Sequence, residues 1–237
     1  MVADNWKAVR ARIQAAASRA GRNPSEITCM AVTKTVPPQR ILEAYQAGLR
    51  VFGENRVQEF AHKSAALRHL ADAEWHMIGH VQTNKAAKAA ELFSCVDSLD
   101  SLRLAEKLNL SAQLLGRKLA VLIEIKLGKE AAKSGVAPES EELHELLGKA
   151  PELEHLEFRG LMAIPPFAQD PEQSRFSFRR LRQVGDQIAA RKLPSVGMQV
   201  LSMGMSHDFE VAIEEGSTCV RIGTAIFGER TKTKICA

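Results

Sequence analysis

The sequence lacks the features of a membrane or secreted protein. No run of residues approaches the ~20 apolar positions that span a bilayer, and residues 1–7 (MVADNWK) contain no apolar signal core. The four cysteines form no C-x-x-C motif, and three of them, Cys29, Cys95 and Cys219, lie in apolar runs. Free thiols of this kind are typical of a reducing compartment and not of a disulfide scaffold. We therefore expect a cytoplasmic protein that does not bind membranes.

The sequence also lacks a cluster of positive charge, and it contains little tyrosine. The 32 basic and 28 acidic residues give a net charge of +4, and the basic residues are spread along the chain. A nucleic-acid interface needs lysine and arginine concentrated on one face, so we do not expect nucleic-acid binding. The only tyrosine in the sequence is Tyr45, which falls within a predicted helix.

What the sequence does contain is a regular alternation of strand-like and helix-like segments. Apolar runs predict strands at residues 27–34, 50–54, 74–79, 93–97, 118–126, 158–164, 198–203 and 218–222. Apolar residues at three- and four-residue spacing, with Pro and Gly as boundaries, predict helices at residues 4–20, 37–47, 56–70, 84–91, 100–110, 138–148, 170–191 and 207–215. Either Ser98 or Asp100 is the predicted cap of the helix at 100–110.

This alternation predicts the fold class. Strands that alternate with helices form parallel sheets, because each parallel pair needs a crossover connection. Eight such units are the number that closes a TIM-type (β/α)8 barrel, here with an extra N-terminal helix. A doubly wound open sheet is the alternative. No linker rich in Gly, Ser or Pro interrupts the pattern, so we expect a single domain over residues 1–237.

The residues at the carboxyl ends of the predicted strands indicate a function. In a (β/α)8 barrel these ends form the active-site face, and the loops after strands seven and eight commonly hold phosphate. Here those loops contain Ser206 and Gly223-Thr224, while Lys34 ends the first strand. A lysine amine forms Schiff bases with aldehydes, and hydroxyl and backbone N–H groups bind phosphate. A phosphorylated aldehyde uses both, so the pattern points to pyridoxal phosphate (PLP).

Each of these residues also has a structural explanation. In the structural explanation, the stem of Lys34 does no more than cover apolar surface. Ser206 then does no more than cap the helix that follows it. Arg221, within an apolar strand, needs an acceptor, which is either a carboxylate or a ligand atom. His76 and His80 should face the same side of one strand, but no further ligand residues lie near them, so no metal site is expected. Residues 133–135 (KSG) fit a turn better than a phosphate contact.

Several segments together resemble a known family. They are AVTK (31–34), FGEN (52–55), VQE (57–59), WHMIG (75–79), QTNK (82–85), KSG (133–135), RGLMAIPP (159–166), MGMS with Asp208 (203–208) and VRIGTAIFG (220–228). This combination is similar to the YggS/PROSC family of pyridoxal phosphate homeostasis proteins. Members of that family resemble the N-terminal barrel domain of alanine racemase and bind PLP.

The resemblance assigns a role to individual residues. It implies that Lys34 carries PLP as a Schiff base, and that Arg221 faces the pyridine nitrogen while Asn55 lines the cofactor. The phosphate contacts that it implies are Ser206, Gly223 and Thr224. The sequence departs from the family at Lys126, where many relatives have asparagine.

Two classes of PLP protein remain open, with a third class more distant. A carrier would store, buffer or deliver PLP to apo PLP-dependent enzymes without turnover. An amino-acid racemase or decarboxylase would use the same Schiff base, and a sugar-phosphate barrel enzyme would use no cofactor. A two-base racemase commonly takes a tyrosine from a second domain, but the predicted strands use the chain up to about residue 228, and Tyr45 lies within a helix. Arg221 would also weaken the pyridine ring as an electron sink. We therefore expect a non-catalytic, monomeric PLP-binding protein.

Overall fold

Eight parallel strands form a closed barrel in this computed structural model, which describes residues 1–128 and 134–229. Each strand pairs with its neighbours in the chain, and the last strand pairs with the first. The strands are Thr28–Val32 (β1), Val51–Glu54 (β2), Glu74–Met77 (β3), Cys95–Leu99 (β4), Leu119–Glu124 (β5), Leu156–Met162 (β6), Val196–Met205 (β7) and Cys219–Ile222 (β8). The predicted barrel is therefore confirmed, and the open sheet is excluded.

Helices follow the strands and surround the barrel. Within the described part of the chain they are Val2–Arg19 (α1), Pro38–Gln46 (α2), Val57–Leu67 (α3), Ala86–Leu92 (α4), Leu102–Leu114 (α5), Glu141–Lys149 (α6), Arg175–Ala190 (α7), Phe209–Glu214 (α8) and Thr224–Phe227 (α9). The extra helix α1 packs against α8 and α9, where Arg12 and Arg19 form ion pairs with Glu210 and Glu214. No described helix combines the length and apolar character needed to cross a membrane.

The largest part of the core lies between the barrel wall and the helices. Phe52, Phe93, Phe178 and Phe209 are fully buried there. Strand residues that alternate with those of this outer core form a separate small cluster, which includes Cys95, Leu122 and Met162. Because successive side chains of a strand alternate between its two faces, this cluster fills the barrel interior. The interior is therefore packed, and a ligand can enter only at the ends.

The start of α5 differs from the prediction. Ser101 is its N-cap, because the Ser101 hydroxyl accepts a hydrogen bond from the Leu104 amide at 3.3 Å. Ser98 instead lies buried in β4 and donates to the Gly79 carbonyl at 2.6 Å. The predicted caps, Ser98 and Asp100, were therefore wrong, because β4 continues through Ser98, whose partner Gly79 lies just beyond β3, and α5 begins only at Leu102.

Candidate functional site

The carboxyl ends of β1, β2, β7 and β8 bring the predicted site residues to one end of the barrel. Lys34 lies two residues beyond β1, Asn55 directly follows β2, and Ser206 directly follows β7. Gly223 and Thr224 directly follow β8. Because β8 pairs with both β7 and β1, the lysine and the predicted phosphate loops lie on adjacent strands. Part of the KSG segment, Lys133, lies outside the described residues.

The junction of β1 and β8 places Gly223 beside Val32. Ala31 pairs with Ile222 in the parallel ladder, so the next residues of the two strands, Val32 and Gly223, also approach each other. A Cβ atom added to Gly223 would lie 3.4 Å from Val32 Cβ and 3.5 Å from the Val32 carbonyl oxygen. An added Cβ would make only ordinary van der Waals contacts there, so what this junction fixes is the position of Gly223 beside the turn that carries Lys34.

Two backbone donors converge on the Ser206 hydroxyl. Its Oγ accepts from the Gly223 amide at 3.3 Å and from the Ala225 amide at 3.4 Å. Successive N–H groups that point at one oxygen form the kind of arrangement that binds anions. Thr224, which is exposed and carries a hydroxyl group, lies between Gly223 and Ala225 in the chain. This corner therefore offers hydroxyl and amide donors to a phosphate.

The alternative role of Ser206 as a helix cap is wrong. Helix α8 begins at Phe209 with Asp208 as its N-cap residue, and the Asp208 carboxylate accepts from the Met205 amide at 2.7 Å. The irregular end of β7 needs glycine at position 204, where φ is +92° and an added Cβ would lie 2.5 Å from Ala212 Cβ. This strand end thus directs Ser206 toward β8 instead of along α8.

Gly79 packs closely against the backbone of Asn55. A Cβ atom added to Gly79, in the WHMIG motif, would lie 2.3 Å from the Asn55 carbonyl oxygen. The Ile78 amide donates to the Glu54 carbonyl at 2.9 Å, which continues the β2–β3 ladder up to this contact. The backbone of Asn55 is therefore fixed by a close approach that only glycine permits.

Arg221 is buried in the barrel and contacts neutral acceptors. Its guanidinium donates to the Ser202 carbonyl at 2.6 Å, to the Ser202 hydroxyl at 2.8 Å and to the Ala163 carbonyl at 2.8 Å. The side chain is only 3% exposed, and burial lowers its pKa, yet a guanidinium remains protonated in proteins. The expected acceptor, a carboxylate or ligand atom, is thus replaced by backbone carbonyls and one hydroxyl.

A charged cluster beside Lys34 was not predicted from the sequence. We call Thr33, Glu54, Glu59 and Lys63 the Lys63 cluster. The Lys63 ammonium contacts Glu54 Oε1 at 2.7 Å and Glu59 Oε1 at 3.0 Å. Burial raises the pKa of Glu54, although Lys63 opposes this. The i,i+4 spacing of Glu59 and Lys63 was a visible signal, but it is common on solvated helix faces.

The two histidines of the WHMIGH segment do not form a pair. His76 Nδ1 lies 2.8 Å from Asp97 Oδ1, whereas His80, beyond the end of β3, lies 2.8 Å from Asp100 Oδ2. Burial acts to lower the pKa of His76, but Asp97 raises it well above its usual value. One ligand-type atom from each of His76, Asp97 and Cys95 lies within 4.8 Å of the others. Burial raises the pKa of the Cys95 thiol to about 12, so this group is a partly buried His–Asp pair beside a protonated thiol.

Comparison with known proteins identifies the family. The sequence matches the family described as alanine racemase, N-terminal domain, over residues 5–231. It is 48% identical over 219 residues to the pyridoxal phosphate homeostasis protein of Aquifex aeolicus (strain VF5), covering 92% of this chain and 94% of that protein. It is 45% identical over 238 residues to the protein of the same name in Escherichia coli (strain K12), covering 98% of each. The chain belongs to the pyridoxal phosphate homeostasis protein family.

Solved structures agree with this family and with the fold. PipY of Synechococcus elongatus PCC7942 has been solved both without PLP and with PLP bound. It is 35% identical to this homeostasis-family chain, with a TM-score of 0.82 over 96% of this chain and 100% of PipY. Alanine racemase of Clostridium difficile 630 has a TM-score of 0.71 at 15% identity and covers 97% of this chain, which spans 58% of the racemase. That likeness shows the shared barrel fold alone, and it confirms the predicted alanine racemase-like architecture.

Proposed function

We propose that this chain binds PLP at the β1–β8 corner and serves cofactor homeostasis by storing, buffering or delivering PLP, without substantial turnover. The observation that carries the proposal is the adjacency of the Lys34 turn to the Ser206 and Gly223 donors. Membership in a family whose relative PipY was solved with PLP bound supports the same ligand. The residues fit it, because an amine and a group of anion donors are what a phosphorylated aldehyde requires.

Lys34 is the proposed attachment residue. PLP supplies a reactive aldehyde that condenses with an amine. Lys34 would hold the cofactor through its side-chain amine, with one water released on attachment. A free amine or an apo enzyme's lysine would take the place of Lys34 by exchange, which frees the Lys34 amine again.

Arg221 argues against strong catalysis. We infer that its guanidinium faces the pyridine nitrogen, as the family resemblance implies. A cation at that position disfavours protonation of the ring nitrogen, and an unprotonated ring is a poorer electron sink for reactions at an amino-acid α-carbon. The Ser202 and Ala163 acceptors are neutral, so they leave the charge of Arg221 uncompensated by direct contact.

The position of tyrosine also disfavours a two-base racemase. Tyr45 lies near the end of α2, where its hydroxyl bonds to Asp72 and its ring contacts Arg50. Arg50 precedes β2 and Asp72 precedes β3, so this group lies at the amino ends of the strands. The only tyrosine of the chain is therefore at the opposite end of the barrel from Lys34.

Borohydride reduction tests the attachment residue. Purified protein loaded with PLP is reduced and digested, and its peptides are mapped by mass spectrometry. We expect the adduct on Lys34, and the Lys34→Ala variant should lose it together with the visible absorption band. An adduct on another lysine, Lys126 for instance, would refute the assignment.

Transfer and racemisation assays separate a carrier from an enzyme. Loaded protein should restore activity to an apo PLP-dependent enzyme and leave the optical purity of added amino acids unchanged. Racemisation at about 1 per second or faster, abolished by Lys34→Ala, would instead make the chain an enzyme. We further propose that the carrier is cytoplasmic, monomeric and a single domain over residues 1–237. Light scattering at micromolar concentration tests whether it is a monomer.

A further inference from the structure

Both residues that flank Lys34 are held by the Lys63 cluster. On one side, the Thr33 hydroxyl donates to Glu54 Oε1 at 2.7 Å and the Thr33 carbonyl accepts from Lys63 Nζ at 3.0 Å. On the other side, the Thr35 amide donates to Glu59 Oε1 at 2.6 Å. Lys34 therefore lies between two fixed backbone positions at the carboxyl end of β1.

The ammonium of Lys63 has a full set of acceptors. Its three donors are matched by the Thr33 carbonyl, Glu54 Oε1 and Glu59 Oε1, all within 3.0 Å. Lys63 is 11% exposed and Glu54 is completely buried. Hydrogen bonds between charged groups are strong in such surroundings, and removal of one partner leaves a buried charge uncompensated. The cluster is thus a rigid support rather than a solvated surface pair.

The segment that carries Lys34 is a tight turn with an unusual backbone. The Val36 amide donates to the Thr33 carbonyl at 2.9 Å, so Lys34 and Thr35 are the central residues of a four-residue turn. Thr35 has φ of +63°, a value that turns normally assign to Gly or Asn. For a β-branched residue this is a strained conformation that persists only where the surroundings over-determine it. The bond from the Thr35 amide to Glu59 is such a constraint.

We propose that Lys63, acting through Glu54 and Glu59, is a positioning residue that holds the Lys34 turn in register with the Ser206 and Gly223 donors. The inference rests on the proposed function, because it assigns a cause to the retention of PLP at Lys34. An amine held at a fixed place lets the phosphate and the aldehyde be bound at the same time without further ordering of the turn. Loss of the support should release PLP faster even where the barrel remains folded.

Two variants, Lys63→Met and Glu59→Ala, test whether the Lys63 cluster positions the Lys34 turn, each with a matched control. Lys63→Met removes the ammonium and keeps most of the side-chain volume, and Lys63→Arg restores a cation. Lys88→Met is the control, because Lys88 forms an exposed pair with Glu91 on α4. We measure the rate at which each loaded protein loses its visible band to an excess of a free amine. We expect Lys63→Met to release PLP about tenfold faster, Lys63→Arg to recover part of the loss, and Lys88→Met to match the unmodified chain.

The second variant covers the case in which Lys63→Met does not fold. Glu59 is partly exposed, so Glu59→Ala removes the anchor of the Thr35 amide without opening the core, and the exposed neighbour Gln58 provides Gln58→Ala as its control. We expect a severalfold faster release in Glu59→Ala, with the unloaded protein still folded like Gln58→Ala, because Glu54 still pairs with Lys63.

The outcomes separate this inference from the proposed function. If the unmodified protein forms no adduct at Lys34, both ideas fail. If it forms the adduct, but Glu59→Ala and every folded Lys63 variant release PLP at the unmodified rate, the positioning role alone is wrong. Faster release that is fully explained by a matching fall in the melting temperature would also overturn it.

Discussion

Substitution of Ser206 by alanine is the most direct test of the phosphate corner. The Ser206 hydroxyl contacts the Gly223 and Ala225 amides at 3.3 and 3.4 Å, longer than the usual 2.9–3.0 Å or so for N–H to oxygen. Little is lost when a phosphate oxygen takes over these amides. The variant should therefore lose mainly the bond from the hydroxyl to the phosphate. A hydrogen bond to a charged group contributes about 1.5–3 kcal/mol, which corresponds to a Kd about ten- to a hundredfold weaker.

The assay is equilibrium dialysis of PLP against the unloaded protein, together with the absorption spectrum of the loaded form. The shape of the spectrum should stay the same in Ser206→Ala, because Lys34 is intact. Ser111→Ala is the matched control, since Ser111 lies on the exposed face of α5 and bonds within its own helix. If Ser206→Ala and Thr224→Val both retain the unmodified Kd, the phosphate binds elsewhere and the placement of PLP is wrong.

Three further predictions concern stability, measured by urea denaturation. Phe178→Ala should lower the free energy of unfolding by about 3–5 kcal/mol, because Phe178 is fully buried, whereas Phe176→Ala on the same helix should change it by less than about 0.5 kcal/mol, because Phe176 is 78% exposed. Gly148→Ala should raise it by about 0.5–1 kcal/mol, since no atom lies within 4 Å of the added Cβ; a loss would contradict the helix assignment. Hydrogen bonds from Arg179 hold the pKa of Glu215 below its usual range, so this stabilisation is complete above the unfolded value of about 4.3 and is lost as pH falls through the folded value. Glu215→Gln should therefore make the acid-side decline in stability shallower, and an unchanged slope would exclude the contribution.

The fold was predictable from the sequence because most strands of the barrel contain a short apolar run. The boundaries were less predictable where buried polar residues interrupt that signal. Strand β4 was predicted to end at residue 97 and instead continues through Ser98 to Leu99. Asp97 and Ser98 are buried there because His76 and the Gly79 carbonyl, both from the β3 segment, bond to them. Such partners come from tertiary structure and leave no local pattern.

The candidate site was predictable to a similar extent. Lys34 and Ser206 follow apolar strands, and barrel topology then places them at one end. The acceptors of Arg221 were not predictable, because they are mainly backbone carbonyls that no residue type encodes. The Lys63 cluster was missed for a related reason, since its importance depends on Glu54 being buried beside the Lys34 turn.

The pairing of β8 with β1 has a consequence for the synthesis of the protein. Lys34 leaves the ribosome well before the Gly223 and Ala225 amides, which lie about 190 residues later in the chain. The ladder between Ala31 and Ile222 joins distant parts of the chain, and contacts of this kind form late and slowly. If the proposed site is correct, an incomplete nascent chain exposes Lys34 without the amides of the proposed phosphate corner. Tight capture of PLP then begins only when β8 has been inserted, so it reports the completion of the barrel.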